Sequence, residues 1–367
     1  MIWVIDNVEN LCEIEYGTRV VRKREQGTIY PVYGGGGETF RIDRKNRTSR
    51  VVIARFGMSE RCTRYVDGDF FLNDSGLTLS PKSDELSQDF LNKIIFSLND
   101  SIYSIGRGTA QKNLNMDAFK KLIISYPPLA EQERIVAKLD TAFAKIDEAV
   151  NVDLDQEIEV QKLKVSLLSK VIDDQSTNLT PLGEVFDFKN GRSFKKTEWC
   201  ESGLPIIRIQ NLNDVNALFN YFEGDYDSAI EVNANDLLFS WSGTVGSSFG
   251  AHIWQREKGV LNQHIFKLKK KKEIDTRYAF YCLKNITKLI ENSVVGAVGL
   301  VHITKKNLIE FEIPLPPLKE QKRIVIKLDA AYDKFKNINE SIAKSKANFL
   351  ALKSAILAKE LQSSEAA

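Results

Sequence analysis

The residues with most chemical potential in this 367-residue chain are arginines. Residues 19–64 hold twelve Lys or Arg against four acids, among them Arg22, Lys23, Arg24, Arg41, Arg44, Lys45, Arg47, Arg50, Arg55, Arg61 and Arg64. A guanidinium donates from a rigid planar fork that matches phosphate oxygens and the O6/N7 edge of guanine, whereas a merely solvated face is served as well by lysine. The chemistry expected is polyanion contact. A second set lies downstream. Lys189, Arg192, Lys195 and Lys196 flank Gly191, and Arg208, Gln210 and Asn211 close a strand-like run whose amides suit adenine edges. Trp241, Ser242 and Thr244 sit in a Gly/Ser/Thr loop that permits close backbone approach and reads equally as an ordinary turn. The run Lys269–Lys272 reads as a solvated turn that adds non-specific phosphate attraction.

Bond-making groups are missing from these patterns. An adenine methyltransferase needs an (Asn/Asp/Ser)-Pro-Pro-(Tyr/Phe) motif to hold the target amine; Ser125-Tyr126-Pro127-Pro128 has those letters in the wrong order. No GxxxxGK[ST] loop is present for nucleotide phosphates, and Gly34–Gly37 lacks dinucleotide-site spacing. His252, His264 and His302 are isolated, and Cys12, Cys62, Cys200 and Cys282 show no CxxC spacing, so free thiols are expected and no metal site. Glu320-Gln321-Lys322 lies in a helix's first turn, where the dipole accounts for the acid. No catalytic residue is assigned.

The elements that must position the arginines follow from a repeat. Pro127–Asp140 reads PPLAEQERIVAKLD and Pro316–Asp329 reads PPLKEQKRIVIKLD, identical at eleven of fourteen positions and 189 residues apart. The register holds to Leu168/Leu357 and Lys170/Lys359. Paired prolines suit a helix start. Val136, Leu139, Phe143, Ile146 and Val150 step by three and four, and Leu154, Ile158, Val165, Leu168 and Ile172 continue after what reads as a four-residue stutter. Each helix is roughly 65 Å long at ~1.5 Å per residue, and its stripe needs a partner. The charges complement: 128–172 has nine acids and six bases, 317–361 five and ten. The chain therefore reads as α+β, two globular mixed units with two long antiparallel helices forming a coiled coil, related by an internal pseudo-twofold. Strands are expected at Thr28–Tyr33, Arg50–Phe56, Tyr65–Leu72, Leu204–Ile209 and Asp236–Trp241, with helices from near Ser83 and over Tyr278–Glu291. Gly57/Gly246 and Asn73/Asn262 share the 189 offset, which suggests that the globular units are duplicated too. The first residues lack a signal-peptide pattern and no run approaches a membrane span, so a cytoplasmic protein is expected.

This order, with the phrases LPIIRIQNL at 204–212, NDLLFSWSGTVG at 235–246 and VLNQHIFKL at 260–268, resembles the specificity subunit of type I restriction-modification systems. The resemblance implies target-recognition domains at 1–125 and 178–313, each reading half of a bipartite DNA sequence, and spacer helices at 126–177 and 314–367. It implies docking of two methyltransferase subunits, with Pro127, Pro128, Glu131, Gln132, Arg134, Pro316, Pro317, Glu320, Gln321 and Arg323 as candidate partner contacts. S-adenosylmethionine, ATP and Mg would sit on the partner subunits, including a restriction translocase, and none on this chain. The alternative reading is a coiled-coil protein adaptor without DNA specificity.

Overall fold

The computed structural model describes residues 3–25, 27–109, 111–175, 178–244, 246–293 and 300–361. The chain divides into two compact units, one comprising Met1–Leu154 and Ala343–Ala367, the other Asp155–Ile342. Both long helices are thus split between units.

In the first unit the elements run β1 (Val4–Asn7), α1 (Val8–Leu11), β2 (Cys12–Tyr16), β3 (Tyr30–Gly34), β4 (Gly37–Ile42), β5 (Arg47–Ala54), β6 (Thr63–Leu72), β7 (Gly76–Pro81), α2 (Gln88–Ser97), α3 (Asn99–Ser104), α4 (Met116–Lys120), β8 (Ile123–Tyr126) and the start of α5 (Leu129–Asp173). A six-stranded sheet has the order β2-β7-β5-β6-β3-β4, and β1 pairs with β8. Its core is built from the alternating apolar residues Val51, Ile53, Leu77 and Leu79 against Phe90, Leu91 and Ile94 of α2. The turn at Gly35–Gly36 joins β3 to β4, a strand the sequence reading did not include. Helix α2 begins later than expected: Ser87 is its cap, its hydroxyl accepting from the Phe90 amide at 3.3 Å.

The second unit runs β9 (Leu179–Pro181), α6 (Leu182–Val185), β10 (Phe186–Asn190), β11 (Leu204–Ile207), α7 (Ile209–Asn213), β12 (Asn220–Phe222), β13 (Glu231–Val232), β14 (Leu237–Ser240), β15 (Ser242–Thr244), β16 (Gly250–Ile253), β17 (Gly259–Leu261), β18 (Ile265–Lys270), α8 (Thr276–Ser293), β19 (Leu300–His302), α9 (Lys305–Ile309), β20 (Glu312–Pro314) and α10 (Leu318–Glu360). Its pairings repeat those of the first unit. The antiparallel pair β2–β7 recurs as β10–β18, β1–β8 as β9–β20, and the parallel pair β3–β6 as β11–β17. In the last case Val32↔Phe71 becomes Ile206↔Val260, which is 174 residues on for one strand and 189 for the other. The globular duplication is therefore present in the structure, and fifteen additional residues between these strands hid half of it from a single-offset comparison. The counterpart of β6 is broken at Trp254–Lys258, so four strands order as β10-β18-β14-β16 and four as β12-β11-β17-β13.

The long helices pair antiparallel within the first unit. Lys138 meets Glu360 at 2.8 Å while Asp147, further along α5, meets the earlier α10 residue Lys353 at 2.5 Å. Lys353 lies 5.1 Å over the Phe143 ring. In the second unit Lys164 lies 5.0 Å over Tyr332. These are the same two repeat positions with the helices exchanged. Along α5 the expected series after the stutter is buried only at its end: Leu154, Ile158 and Val165 are exposed while Leu168 and Ile172 are buried, whereas Leu139, Ile146, Asp153, Val160 and Leu167, at an unbroken seven-residue step, are all buried or half-buried. Seven-residue spacing keeps one face on a supercoiled partner, so it prevails over the more apolar but drifting alternative. Of the four cysteines, all free, Cys12, Cys62 and Cys282 are buried and Cys200 is exposed. Among the described residues no helix is long and apolar enough to cross a membrane.

Candidate nucleic-acid interface

Both units build one site from the same backbone bonds. In the first, the Gly17 and Thr18 amides donate to the Gly76 and Leu72 carbonyls at 3.1 and 2.9 Å. In the second, Gly191 and Arg192 donate to Ile265 and Leu261 at 3.1 and 2.9 Å. A Cβ on Gly17 would stand 1.8 Å from the Asn73 carbonyl oxygen and one on Gly191 2.0 Å from that of Asn262, so both turns require glycine. Beside this turn, the Arg55 amide donates to Ser75 O (2.9 Å) and its carbonyl accepts from Leu114 N (2.8 Å). The Trp241 amide donates to His264 O (3.1 Å) and its carbonyl accepts from Ile303 N (3.0 Å). Ser75 and His264 are 189 apart, as are Leu114 and Ile303, so Arg55 and Trp241 occupy one position of the duplicated fold.

Different side chains fill that shared frame. Arg55 is sandwiched between Tyr16 and Phe56, its guanidinium carbon 4.6 and 4.8 Å from the ring centroids, and both rings are about half exposed. Trp241 donates its indole N–H to Asn190 Oδ1 at 3.0 Å and lies between His264 and His302, at 4.7 and 4.9 Å. Tyr16 and Asn190, which end β2 and β10, are equivalent as well. His264 holds φ at 73°, and its Nδ1 is buried without a partner among the described residues. Sequence reasoning missed Tyr16, Phe56, Asn190, His264 and His302 as companions of Arg55 and Trp241. The 189 offset between Ser75 and His264 was the available signal, but a serine matched to a histidine carries no identity.

The remaining basic residues divide by what already holds them. Arg22, Lys23, Arg24, Arg61, Lys195 and Lys196 are exposed, and among the described residues their cationic side-chain groups have no ionic or hydrogen-bond partner, although the Lys195 amide donates to the Glu198 carboxylate at 2.8 Å. Arg47 is consumed by the fold: it donates to Thr78 Oγ1 (2.8 Å), Asn46 O (2.7 Å) and Tyr16 O (3.1 Å), and its side chain is 16% exposed. Arg50 donates to Thr48 O and Ser49 O, with Nε buried. Arg44 forks onto Glu25 and lies 4.7 Å over Phe71, and Lys45 pairs with Asp69 at 2.6 Å. Arg41 donates to Ile29 O, and Arg64 packs against Gly37. In the second unit Lys189 pairs with Asp187, and Arg192 with Glu198 over the Phe194 and Phe222 rings. Arg208 donates to Asn220 Oδ1 at 2.9 Å, and the exposed Gln210 to Leu218 O. Asn211 is 3% exposed and spends its amide on Ala217 O, Leu218 O and the Arg208 N–H, so it has no group left for a base edge. Ser242 is buried in β15, while Thr244 is exposed.

The repeated helix motif is a clamp. Gln132 is fully buried, its Nε2 donating to Glu85 O and Pro127 O (both 2.7 Å) while its Oε1 accepts from Ser87 N at 2.9 Å. Gln321 repeats this with Pro316 O and Asp275 N, both at 2.8 Å. Gln132, Gln321 and the buried Pro127 therefore cannot present a surface to a partner, because their polar atoms tie each helix to its own globular core. Pro128, Pro317 and the forked pairs Glu131–Arg134 and Glu320–Arg323 remain at the surface. The guanidinium holds each glutamate below the usual carboxylate range.

Comparison with known proteins agrees with this geometry. The family model described as type I restriction modification DNA specificity domain matches residues 3–160 and 177–347. The chain is 30% identical over 151 residues to the type I restriction enzyme EcoBI specificity subunit of Escherichia coli, covering 40% of this chain and 31% of that one. It is 28% identical over 270 residues to the putative type I restriction enzyme MjaX specificity subunit of Methanocaldococcus jannaschii, covering 68% and 60%. The matched region thus spans less than two thirds of these relatives' own length. A chain solved in work on complex assembly and conformational transition of the type I R-M system superposes with a TM-score of 0.71 at 21% identity, covering 98% of this chain and 97% of that one, a likeness of fold. A match to the specificity model over both halves, on a fold built twice, shows that the chain belongs to the type I restriction-modification DNA specificity family.

Proposed function

We propose that the chain is a non-catalytic specificity subunit whose two globular units each read one half of a bipartite duplex target. The observation that carries this reading is the duplicated frame around Arg55 and Trp241: the backbone is held constant and the groups it presents differ, as two unlike half-sites require. The free cations Arg22, Lys23, Arg24, Arg61, Lys195 and Lys196 supply phosphate attraction. The helices serve as spacer and as dock for two methyltransferase subunits, through the exposed Glu131–Arg134 and Glu320–Arg323 pairs. S-adenosylmethionine, ATP and Mg belong to those subunits and to the translocase, and the assembled complex works in the cytoplasm.

Replacing residues 1–125 by the matching part of a relative, then mapping methylated sites in cells that carry the partner subunits, tests this. The expected outcome is a change in one half of the target with the other half preserved. A change in both halves would refute modular reading, and absence of salt-dependent duplex binding would favour the protein adaptor.

A further inference from the structure

The second unit contains a cavity of about 510 Å³ whose wall includes Lys164 of α5, Phe280, Lys284 and Lys288 of α8, and Tyr332 of α10. Lys288 is neutralised by Glu291 at 2.6 Å, and that carboxylate also accepts from the Gly246 amide. Lys164 and Lys284 have no carboxylate partner among the described residues. They lie on aromatic faces instead, 5.0 and 5.6 Å from the Tyr332 ring, with Lys284 also 5.1 Å from Phe280. Burial, then the charges of Lys164 and Lys288, pull the Lys284 ammonium below the usual lysine range. Of the other titratable groups on the wall, Arg256 is stacked 3.8 Å from Phe219, and burial pulls His252 below the ordinary imidazole range.

The first unit supplies an internal control. Lys353, the repeat counterpart of Lys164, lies over Phe143, the counterpart of Tyr332, but there Asp147 meets the ammonium at 2.5 Å and Asp140 pairs with Lys93. In the second unit the position matching Asp147 is Lys336, and Asp329, matching Asp140, is held by Arg277 and Tyr281 at 2.6 Å each. Two half-enclosed ammonium groups are therefore left without counter-charge in one copy of a site that is neutral in the other. An anion between them offsets their mutual repulsion and their desolvation. At about 510 Å³ the cavity has the size of a small-molecule site and is too small for a duplex.

We propose that this cavity binds a small phosphate-bearing anion, its phosphate held by Lys164 and Lys284 with Tyr332 and Phe280 as the wall. The anion is either free phosphate or the phosphomonoester of a mononucleotide, whose base the rings would accept. The proposal is independent of DNA reading. Calorimetric titration of the full chain, without DNA and at fixed ionic strength, with inorganic phosphate and with adenosine monophosphate tests it. Saturable binding is expected, weakened about tenfold or more by Lys164→Met or Lys284→Met, since each removes one charge-assisted contact, and unchanged by Lys353→Met. Tighter binding of the nucleotide identifies the phosphomonoester; equal or tighter binding of phosphate identifies the free ion. Should Lys284→Met fail to fold, Lys164→Met at the rim carries the test. Absence of saturable binding of both probes, wild-type affinity in the methionine variants, or binding of a glutamate-rich peptide without phosphate binding would overturn it.

Discussion

At the scale of residues, free and committed cations separate cleanly. The guanidinium and ammonium groups of Arg22, Lys23, Arg24 and Arg61 have no side-chain partner among the described residues, whereas Arg47 holds β5 to the Tyr16 and Asn46 carbonyls. Changing the four free cations to alanine is expected to weaken duplex binding and to flatten its salt dependence by about 0.9 in slope per lost phosphate contact. Binding isotherms across a salt series measure this. Arg47→Ala is expected instead to lower the unfolding midpoint, because it removes three hydrogen bonds that tie the start of β5 to Thr78 Oγ1 and to the Asn46 and Tyr16 carbonyls. A sharper expectation concerns the shared position. Trp241→Ala removes a ring able to stack, a loss of about tenfold in affinity, and relaxes discrimination in one half of the target, while Arg55→Ala relaxes the other. Competition with duplexes altered in one half at a time checks it; loss at the same half for both variants would contradict the equivalence.

At the scale of elements, the helix starts show why the PPLxEQxR motif recurs. The buried Gln132 side chain makes two hydrogen bonds, to Glu85 O and from Ser87 N, that fix α5 to the turn before α2 and a third to Pro127 O in its own lead-in, and Gln321 fixes α10 to the turn before α8 through Asp275. Leucine at either site fills similar volume but leaves carbonyls and an amide unpaired, at roughly 2–4 kcal/mol. Gln132→Leu and Gln321→Leu are each expected to lower the denaturation midpoint, whereas Arg134→Ala, which breaks an exposed ion pair, leaves it within about 1 kcal/mol of wild type. Urea titrations followed by circular dichroism distinguish the two classes. The seam of α5 includes Asp153, whose Oδ2 is buried without a partner among the described residues. A polar group at one seam position costs stability and disfavours slipped registers.

At the scale of the whole molecule, each unit is completed by the far end of the other copy's helix. The first unit buries Leu357 with Ile135 and Leu139 and draws Lys353 and Glu360 into ion pairs. Truncation after Ile342 is therefore expected to damage the amino-terminal unit rather than the one it adjoins in sequence, since losing Leu357 alone costs about 2–3 kcal/mol. Hydrogen exchange by mass spectrometry should show protection lost in β5–β7 and α2 and kept in β14, β18 and α8. The reverse pattern would contradict the division into units.

The sequence by itself determined what local pattern encodes. Eleven identities in fourteen mark the duplication, three- and four-residue apolar steps mark the helices, and arginine excess marks a candidate polyanion surface. The seven-residue seam through Asp153 was not legible, because a carboxylate does not look like a core residue. Tertiary structure alone decided which cations are free, because the groups that consume Arg47 lie as far as 31 residues away in the chain. It alone made Arg55 and Trp241 equivalent, since their identity is carried by backbone bonds to Ser75, His264, Leu114 and Ile303 and by no shared side chain. Hydrogen bonding between distant backbone groups specifies position without specifying residue type, so a fold can be repeated while the letters at its working surface diverge.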